Sequence, residues 1–302
     1  MAQRRPAAGG LSAAAGPDWP ALRAAGARDA DARVPFCVNG VAVGSVARAH
    51  LPALQPWPQW LQADSTQVRM RVEPEALGPV FAQINAALRL QGLIRAWRDE
   101  AFALLDPQRG TRLAAMERAA MRFWGTLTLG AHANGYVADA QGRPTHLWIA
   151  QRSLTKATDP GKFDNLVGGG VPDGQSPADA LLREGWEEAG LPPSRMRQAR
   201  AAGVLCLQRD IPEGLQHEWL HAWDLPLPDG LLPVNQDGEV AGFRCLPCDE
   251  ALALAAGDSM TVDAALVTLD FALRHALLPA PQARALASGL AARRVQNEIQ
   301  AL

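Results

Sequence analysis

The sequence predicts an α+β N-terminal domain followed by an α/β/α sandwich with a mixed sheet. The chain has 302 residues, a length that one large or two ordinary domains would fill. Hydrophobic residues make up 48% and charged residues 20%, which is the balance of a soluble globular protein. Near residue 126 the pattern changes from helix-like segments to short alternating strands that helices interrupt. We therefore expect a disordered tail at 1–16, a first domain at 17–125, a second at 126–277 and a helical extension at 278–302.

The first domain is predicted from one hairpin and two helices. Asn39-Gly40 is a strong two-residue hairpin signal, and apolar runs flank it on both sides. Apolar residues then recur at helical spacing before Gly92, and a second helix candidate precedes Gly125. The predicted elements are strands at Val34–Phe36 and Val41–Val46 and helices at Glu75–Gln91 and Leu113–Trp124.

The second domain shows strand-like alternation separated by turn signals, with two helices between and after the strands. Such helices in a mixed sheet favour a three-layered sandwich. The predicted strands are Thr126–Leu129, Gly135–Ala138, His146–Gln151, Val204–Gln208 and Glu218–Leu225, and the predicted helices are Pro177–Ala189 and Val262–Leu277. The Ala-rich segment Gln282–Gln300 has helical propensity and is interpreted as an appendage or a contact in a homodimer.

Charge and apolar patterning exclude two classes of partner. A formal net charge of −2 provides no basic field for a nucleic-acid backbone. Apolar runs such as Ala101–Leu105 are shorter than the roughly 20 residues that a membrane helix needs. Met1–Gly16 lacks the continuous apolar segment of a secretory signal. Four cysteines in a chain of this length indicate a reducing compartment, so we expect a cytoplasmic protein.

One segment, residues 168–191, carries the chemistry. Its sequence is GGGVPDGQSPADALLREGWEEAGL, in which a glycine loop allows a close approach of backbone to ligand. Ser176 is a good N-cap, Pro177 suits the first helical position, and Gly190 ends the helix. The last two turns therefore hold three carboxylates on one face, those of Glu184, Glu187 and Glu188.

This clustering of carboxylates is electrostatically unfavourable for a purely structural helix. Each like-charged pair at these spacings costs roughly 0.2–0.5 kcal/mol. The carboxylates also lie at the end where the helix dipole favours cations, a further cost of about 0.3–1 kcal/mol per charge. A bound Mg²⁺ or Mn²⁺, which prefers carboxylate oxygens and bridges to phosphates, would reverse both effects. A solvated acidic face is the alternative.

The loop and helix together resemble the Nudix box, G-x5-E-x7-R-E-U-x-E-E-x-G-U, where U is a bulky apolar residue. Two positions depart from this pattern: Gln175 stands at the first glutamate and Gly185 at the first apolar position. The positions that match are Gly169, Arg183, Glu184, Glu187, Glu188, Gly190 and Leu191. The resemblance implies a Nudix α/β/α fold and a hydrolase that cleaves a pyrophosphate bond.

The resemblance also implies roles for these residues, with Mg²⁺ or Mn²⁺ as cofactor. Glu184 and Glu188 would be the strongest metal ligands, and the carbonyl of Gly169 would complete the shell. Glu187 would be a further metal ligand, oriented by Arg183 across one helical turn. The base would be either Glu184 or a distal glutamate. For the latter we select Glu239, in a polar loop whose alternative is an ordinary hairpin turn.

Similarity beyond the box, from about Pro35 to His275, indicates the Nudix branch related to thiamine pyrophosphokinase. The matching stretches, in chain order, are 96–100, 116–120, 130–136, Lys156, 160–165 and 237–240. This branch carries an N-terminal domain of about 110 residues. The resemblance implies hydrolysis of thiamine diphosphate, or its oxidised analogues, to the monophosphate and phosphate. The expected partner is a small-molecule diphosphate.

Several side chains are candidates for substrate binding, each with a structural alternative. Three basic residues before the glycine loop could meet phosphate oxygens or remain solvated: Arg152, Lys156 and Lys162. Aromatic residues could stack on a heterocycle or fill a core: Trp97 and Trp124. His132 and Asn134 could contact ligand or lie between the domains, and Arg98–Glu117 or Glu100–Arg118 could form interdomain ion pairs.

Two further interpretations of function stay open. The same chemistry could act on another nucleoside or sugar diphosphate. A catalytically weak Nudix module that only binds its ligand is the third possibility, and Gln175 is the sequence feature that favours it. The pairs Cys245/Cys248 and His217/His221 lack the companion residues of a zinc or redox motif and are set aside.

Overall fold

The computed structural model describes residues 19–296, and its N-terminal half builds a four-stranded sheet and a separate hairpin. The sheet has the order β2-β1-β4-β3, and β5 pairs with β6. Here the strands are β1 (Arg33–Val38), β2 (Val41–Ala47), β3 (Leu61–Ala63), β4 (Val68–Met70), β5 (Ala101–Leu105) and β6 (Arg112–Glu117). The helices are α1 (Pro20–Ala24), α2 (Leu77–Leu90) and α3 (Arg118–Trp124), with 3-10 turns at Arg48–Leu54 and Pro74–Ala76. One hydrophobic core joins residues from Val34 to Trp124, and we call residues 33–124 the N-terminal unit.

The C-terminal half is a seven-stranded mixed sheet with helices on both faces, as predicted. The order β11-β12-β7-β8-β13 forms its path; β10 pairs with β7 and β9 with β8, and only β7 and β12 run parallel. The strands are β7 (Leu127–Ala138), β8 (Pro144–Arg152), β9 (Phe163–Asp164), β10 (Val167–Gly170), β11 (Arg200–Ile211), β12 (Gly214–Pro226) and β13 (Val240–Pro247). The helices are α4 (Pro177–Ala189), α5 (Pro193–Met196), α6 (Cys248–Ala255), α7 (Val262–Arg274) and α8 (Ala280–Ala291). Among the described residues, no helix has the length and apolar character needed to cross a bilayer.

Most local predictions are confirmed because their signals are short-range. Asn39 and Gly40 both adopt positive φ, 49° and 87°, as the tight turn between β1 and β2 requires. Helix α2 ends before Gly92, whose φ is +72°. Gly125 ends α3 in the left-handed conformation, and α4 has the predicted bounds.

One predicted helix of the N-terminal region is wrong, and two predicted strands of the central region are joined into one. Leu113–Trp124 is not one helix: its first part is β6, whose residues alternate between half-buried and buried and pair with β5. Glu117 then caps α3 by accepting from the backbone N of Ala119. The two strands predicted in residues 126–138 are one long strand, because β10 and β12 pair with its middle on both sides.

The predicted helix at Gln282–Gln300 also differs, since α8 ends at Ala291. Beyond it, Val295 N donates to Val204 O at 3.0 Å, and Arg294 pairs with Asp270. Contacts with β11 and α7 thus replace the helical hydrogen bonds that Ala-rich propensity favours. Helix α7 likewise ends at Arg274, three residues before the predicted end. The predicted tail at 1–16 and residues 297–302 lie outside the described residues.

The N-terminal unit docks on the sheet at β12, which α3 and β2 contact, and at β7, which β5 contacts. Arg112 donates to both carboxylate oxygens of Asp173 at 2.6 and 2.8 Å, and Arg33 meets Asp210 at 3.4 Å. These pairs link the N-terminal unit to the sheet, whereas the predicted interdomain pairs are wrong. The Glu100–Arg118 ion pair forms within the N-terminal unit, and Arg98 contacts Glu117 through its backbone N–H.

Two histidines of β12 make stability depend on pH. Burial lowers the pKa of both His217 and His221 from 6.5 to about 4, so folding favours their neutral forms. Their contribution is complete above about pH 6.5 and is lost as pH falls toward about 4, because the unfolded chain binds protons first. From about pH 7 to about pH 5 we expect a loss of at most about 2 kcal/mol per histidine in urea unfolding. His221→Gln should reduce this pH dependence of the free energy of unfolding, while the control His146→Gln on β8 should leave it unchanged. If the free energy of unfolding of His221→Gln falls with pH as steeply as that of the unmodified chain, His221 is not a source of the pH dependence.

Candidate active site

A cavity of about 260 Å³ lies between the N-terminal unit and the sheet. One wall is formed by the glycine strand β10 and by the carboxylates of Glu184 and Glu188 from α4. Arginines of the N-terminal unit also line the cavity, with Arg118 close to Gly170, and the loop before β9 contributes Lys156. We call β10 with Glu184 and Glu188 the acidic wall and the arginines of the N-terminal unit the basic wall. Acidic and basic side chains in one cavity suit a metal-bound phosphate compound.

Helix α4 begins and ends where its local sequence directs. Ser176 accepts from Asp179 N, and the Asp179 carboxylate accepts from Ser176 N, so a capping box starts the helix. Gly190 closes it with φ +65°. The helix then packs against β10, which places Glu184 and Glu188 beside the glycines.

Glu184 and Glu188 are buried carboxylates facing the cavity. Glu188 is 5% exposed and accepts from Gly168 N at 2.9 Å. A β-carbon at Gly169 would lie 2.1 Å from Glu184 Oε1, so only glycine leaves room for this carboxylate. Burial raises the pKa of Glu188 to about 8, and the neighbouring Glu184 adds to the rise. Burial also raises the pKa of Glu184, which Arg183 opposes.

Glu187 is turned away from the cavity, unlike its two neighbours. Arg183 donates to Glu187 Oε2 at 2.8 Å and to Glu184 Oε1 at 2.9 Å, so the predicted Arg183–Glu187 contact forms. The guanidinium that joins these side chains holds Glu187 at the rim. In the described part of the chain, no three His, Cys, Asp or Glu side chains converge closely enough to ligate one ion. The expected convergence of all three glutamates is therefore not observed.

The donor set on the acidic wall nevertheless fits a hard divalent cation. Glu184 and Glu188 offer carboxylate oxygens in a buried position where their own repulsion disfavours ionisation. A cation there would compensate both charges, and the β10 backbone at Gly169 leaves space for the Glu184 carboxylate.

Glu239 reaches the same cavity from the loop that precedes β13, as the sequence placed it. Its carboxylate forms an ion pair with Lys156. The Lys156 Nζ is also 4.0 Å from Glu188 Oε1. Lys156 thus joins the predicted distal glutamate to the α4 carboxylates.

The other predicted substrate residues divide into those at the cavity and those outside it. Arg152 and His132 line it, but Arg152 pairs with Asp164 at 2.8 Å and His132 Nδ1 is 3.1 Å from Asn165 Oδ1. Lys162 does not line it and pairs instead with Asp159 at 3.0 Å.

Among the predicted aromatic and amide candidates, only Trp97 lies near the cavity. It borders an adjoining opening and donates from Nε1 to Asp99 at 2.7 Å. Trp124 is fully buried and stacks on Phe36 at 4.5 Å between ring centroids, so its core alternative is correct. Asn134 lies against α7, where it donates to Val267 O, rather than between the domains.

Sequence reasoning missed much of the basic wall. Arg118 and Arg122 line the cavity from α3, and Arg98 joins them from the segment before β5. Asp164 contributes a further buried carboxylate, and Asp263 contributes a half-buried one. The spacing of Arg118 and Arg122, one helical turn apart, was the available signal, but the helix there was predicted with the wrong start.

Gln175, the departure from the box, lies outside the cavity and accepts from Arg183 Nε at 3.3 Å. A glutamate there would add a charge to the Arg183 network without changing size. We expect Gln175→Glu to change the apparent Mg²⁺ affinity up to about tenfold, with little change in melting temperature. Gln198→Glu, where Gln198 accepts from Arg195 on the exposed helix α5, is the matched control. Identical Mg²⁺ titrations for Gln175→Glu and the unmodified chain would contradict this expectation.

Comparison with known proteins follows the same division of the chain. Residues 128–264 match the NUDIX domain model, and residues 21–128 match the model of a domain of unknown function, DUF4743. Nudix hydrolase 24, chloroplastic, of Arabidopsis thaliana is 35% identical over 215 residues, which cover 68% of this chain and 56% of the relative. Nudix hydrolase 20, chloroplastic, of the same plant is 33% identical over 218 residues, covering 69% of this chain and 56% of the relative.

The chain thus spans little more than half the length of these curated relatives. The solved structure of DR0079 from Deinococcus radiodurans has a TM-score of 0.43 and 23% identity, covering 56% of this chain and 97% of that one.

Nudix hydrolases generally use divalent metals, usually Mg²⁺ or Mn²⁺. The predicted resemblance to the Nudix family is confirmed, while the thiamine-related branch stays a prediction. The chain therefore carries a Nudix domain that a DUF4743 domain precedes, and two of its curated relatives are named Nudix hydrolases.

Proposed function

We propose that this protein is a metal-dependent pyrophosphohydrolase whose substrate is thiamine diphosphate or an oxidised analogue of it. The observation that carries the hydrolase assignment is the pair of buried carboxylates, Glu184 and Glu188, beside the glycine strand in a cavity that arginines of the N-terminal unit also line. The Nudix domain and the hydrolase relatives support it. The products would be thiamine monophosphate and phosphate.

The residues of the acidic wall would hold the metal. Glu184, Glu188 and the carbonyl of Gly169 are the proposed ligands, and Glu187 would act from the rim through Arg183. A bound Mg²⁺ or Mn²⁺ supplies charge neutralisation and acidifies water. Arg183 keeps Glu184 in place, and Glu184 or Glu239 would accept the proton from the attacking water.

The organic part of the substrate would occupy an opening next to the cavity, which we call the vestibule. It is lined by residues 96–98, 155–157 and 237–239, and it shares Arg98, Lys156 and Glu239 with the cavity. Trp97 offers an aromatic face there, since Arg89 covers one side of the ring at 4.7 Å. Aromatic and acidic side chains at the vestibule, Trp97, Asp237 and Glu239, suit the cationic thiazolium and flat pyrimidine of thiamine.

A phosphate-release screen with Mg²⁺ or Mn²⁺ tests the substrate. We expect a higher kcat/KM for thiamine diphosphate or its oxo analogue than for ADP-ribose, NADH or sugar diphosphates. Trp97→Ala should raise KM for the thiamine compound about 5–30-fold, because stacking and cation–π contacts contribute roughly 1–2 kcal/mol. Trp60→Ala, in the N-terminal unit but away from both openings, should leave KM unchanged.

The outcomes of this screen separate the three functional interpretations. Equal kcat/KM for all diphosphates would contradict the substrate assignment and leave the hydrolase assignment. A clear preference for a nucleoside or sugar diphosphate would support the second interpretation. Binding of diphosphates without metal-dependent turnover would support the ligand-binding module.

A further inference from the structure

Three arginines of the N-terminal unit form the basic wall of the cavity: Arg98, Arg118 and Arg122. Arg118 and Arg122 project from one face of α3, and Arg98 precedes β5, which leads into the hairpin beneath that helix. Gly168–Gly170 and Glu184 line the same cavity. The N-terminal unit therefore supplies cationic side chains to a space whose other wall belongs to the Nudix domain.

The charges of these arginines are only partly compensated. Arg118 donates to Glu100 at 2.8 Å, but within the described chain neither Arg98 nor Arg122 has a carboxylate at ion-pair distance. Arg122 has Glu218, Glu213 and Asp263 in its wider surroundings, and Arg98 has Glu100.

Burial also disfavours the charged forms of Arg98 and Arg122. It lowers the pKa of Arg98, and neighbouring Arg118, Arg122 and Arg152 lower it further. The pKa of Arg122 is lowered for the same reasons, by burial and by Arg118. Guanidinium groups stay protonated in proteins, so this repulsion persists until an anion enters. A phosphate group has the charge and the bidentate geometry that guanidinium groups bind best.

We propose that Arg98 and Arg122, with Arg118 held by its ion pair with Glu100, form a phosphate clamp through which the N-terminal unit binds the substrate. This inference rests on the proposed function in one respect: the phosphate that the clamp binds is taken to be the end of a diphosphate ester. The clamp itself requires only a phosphate group, which could also be free inorganic phosphate. The clamp would make the N-terminal unit bind phosphate directly in the cavity, and Trp97 of the same unit also lines the vestibule.

Calorimetric titration of the full chain with inorganic phosphate, in metal-free buffer containing a chelator, tests the clamp. We expect Arg98→Gln and Arg122→Gln each to weaken phosphate binding at least about tenfold, since each removes a charge-assisted hydrogen-bonding group. Arg98→Lys should recover part of the affinity because it restores charge without the planar fork. Arg71→Gln, an exposed arginine of the same unit, should bind as the unmodified chain does.

Thermal unfolding and kinetics give the remaining readouts. A structural role would lower the melting temperature and leave the affinity of the folded protein unchanged, which would overturn the clamp. Phosphate affinities of both glutamine variants within about twofold of the unmodified chain would also overturn it, as would absence of phosphate binding to the unmodified chain.

The kinetic arm distinguishes the source of the phosphate and the fate of the proposed function. If the variants that bind phosphate more weakly also show a higher KM for thiamine diphosphate with Mg²⁺, the clamp's ligand is the diphosphate end of the substrate. Weaker phosphate binding with an unchanged KM identifies it as free phosphate. If the variants bind phosphate more weakly but the unmodified chain hydrolyses no diphosphate, the clamp is supported and only the proposed function is refuted.

Discussion

Replacing Glu188 with glutamine is expected to lower metal-dependent kcat at least ~100-fold while the chain remains folded. Glutamine has nearly the same size and can still accept from Gly168 N, so the contact between α4 and β10 is kept. It removes a carboxylate that we propose as a metal ligand. Phosphate release with Mg²⁺ and a direct titration of Mg²⁺ or Mn²⁺ binding measure the two effects separately.

The same variant should be more stable without metal. Because burial raises the pKa of Glu188 to about 8, the folded state disfavours its ionised form relative to the unfolded chain. This penalty is absent at a pH below the unfolded value near 4.5 and grows above it, so it is present near neutral pH. Removing the carboxyl group should therefore raise the melting temperature in chelator.

Glu250→Gln is the matched control, since Glu250 is an exposed glutamate in the first turn of α6. It should leave both kcat and metal binding unchanged. Full kcat with Mg²⁺ in Glu188→Gln would refute the role of this residue. An unchanged or lower melting temperature in chelator would refute the electrostatic reason that we give for it.

Gly169→Ala is expected to lower kcat at least ~100-fold with little loss of stability. The added β-carbon would lie 2.1 Å from Glu184 Oε1, so the flexible carboxylate must move out of the place it now occupies. Alanine keeps the backbone carbonyl, so the variant tests the position of Glu184 rather than the proposed carbonyl ligand. Metal titration should show weaker binding, and unfolding should show a melting temperature close to that of the unmodified chain.

Gly242→Ala on β13 provides the control, because a β-carbon there meets no atom within 4 Å. Its kcat should match that of the unmodified chain. Gly169→Ala with full activity would show that Glu184 can act from another position. A large fall in melting temperature would instead show that the backbone of β10 had shifted.

The sequence by itself determined the features that depend on neighbouring residues. Ser176, Pro177 and Gly190 carry the local energetics of one helix, so α4 could be predicted with its bounds. Asn39-Gly40 specifies a tight turn for the same reason. The box placed Glu184 and Glu188 on one helix beside a glycine segment. That segment was predicted as a loop, but it is the strand β10, because it pairs with β7.

Only the tertiary structure decided which side chains enter the cavity. Arg183 binds Glu184 and Glu187 together and keeps Glu187 at the rim, a choice that helical spacing cannot make. Trp124 became core because β1 supplies Phe36 for it to stack on. Pairing with β5 overrode the helical pattern in β6.

The basic wall shows the same limit most clearly. Arg98 and Arg122 are separated in sequence from the glycine loop by tens of residues, and no local pattern links them to it. They meet the cavity because the N-terminal unit docks on β7 and β12, and Arg112 pairs with Asp173 as a further link. Local interactions act between neighbours in the chain and are visible in the sequence. Charge complementarity across a cavity arises from packing between distant segments, so it appears only once the chain has folded.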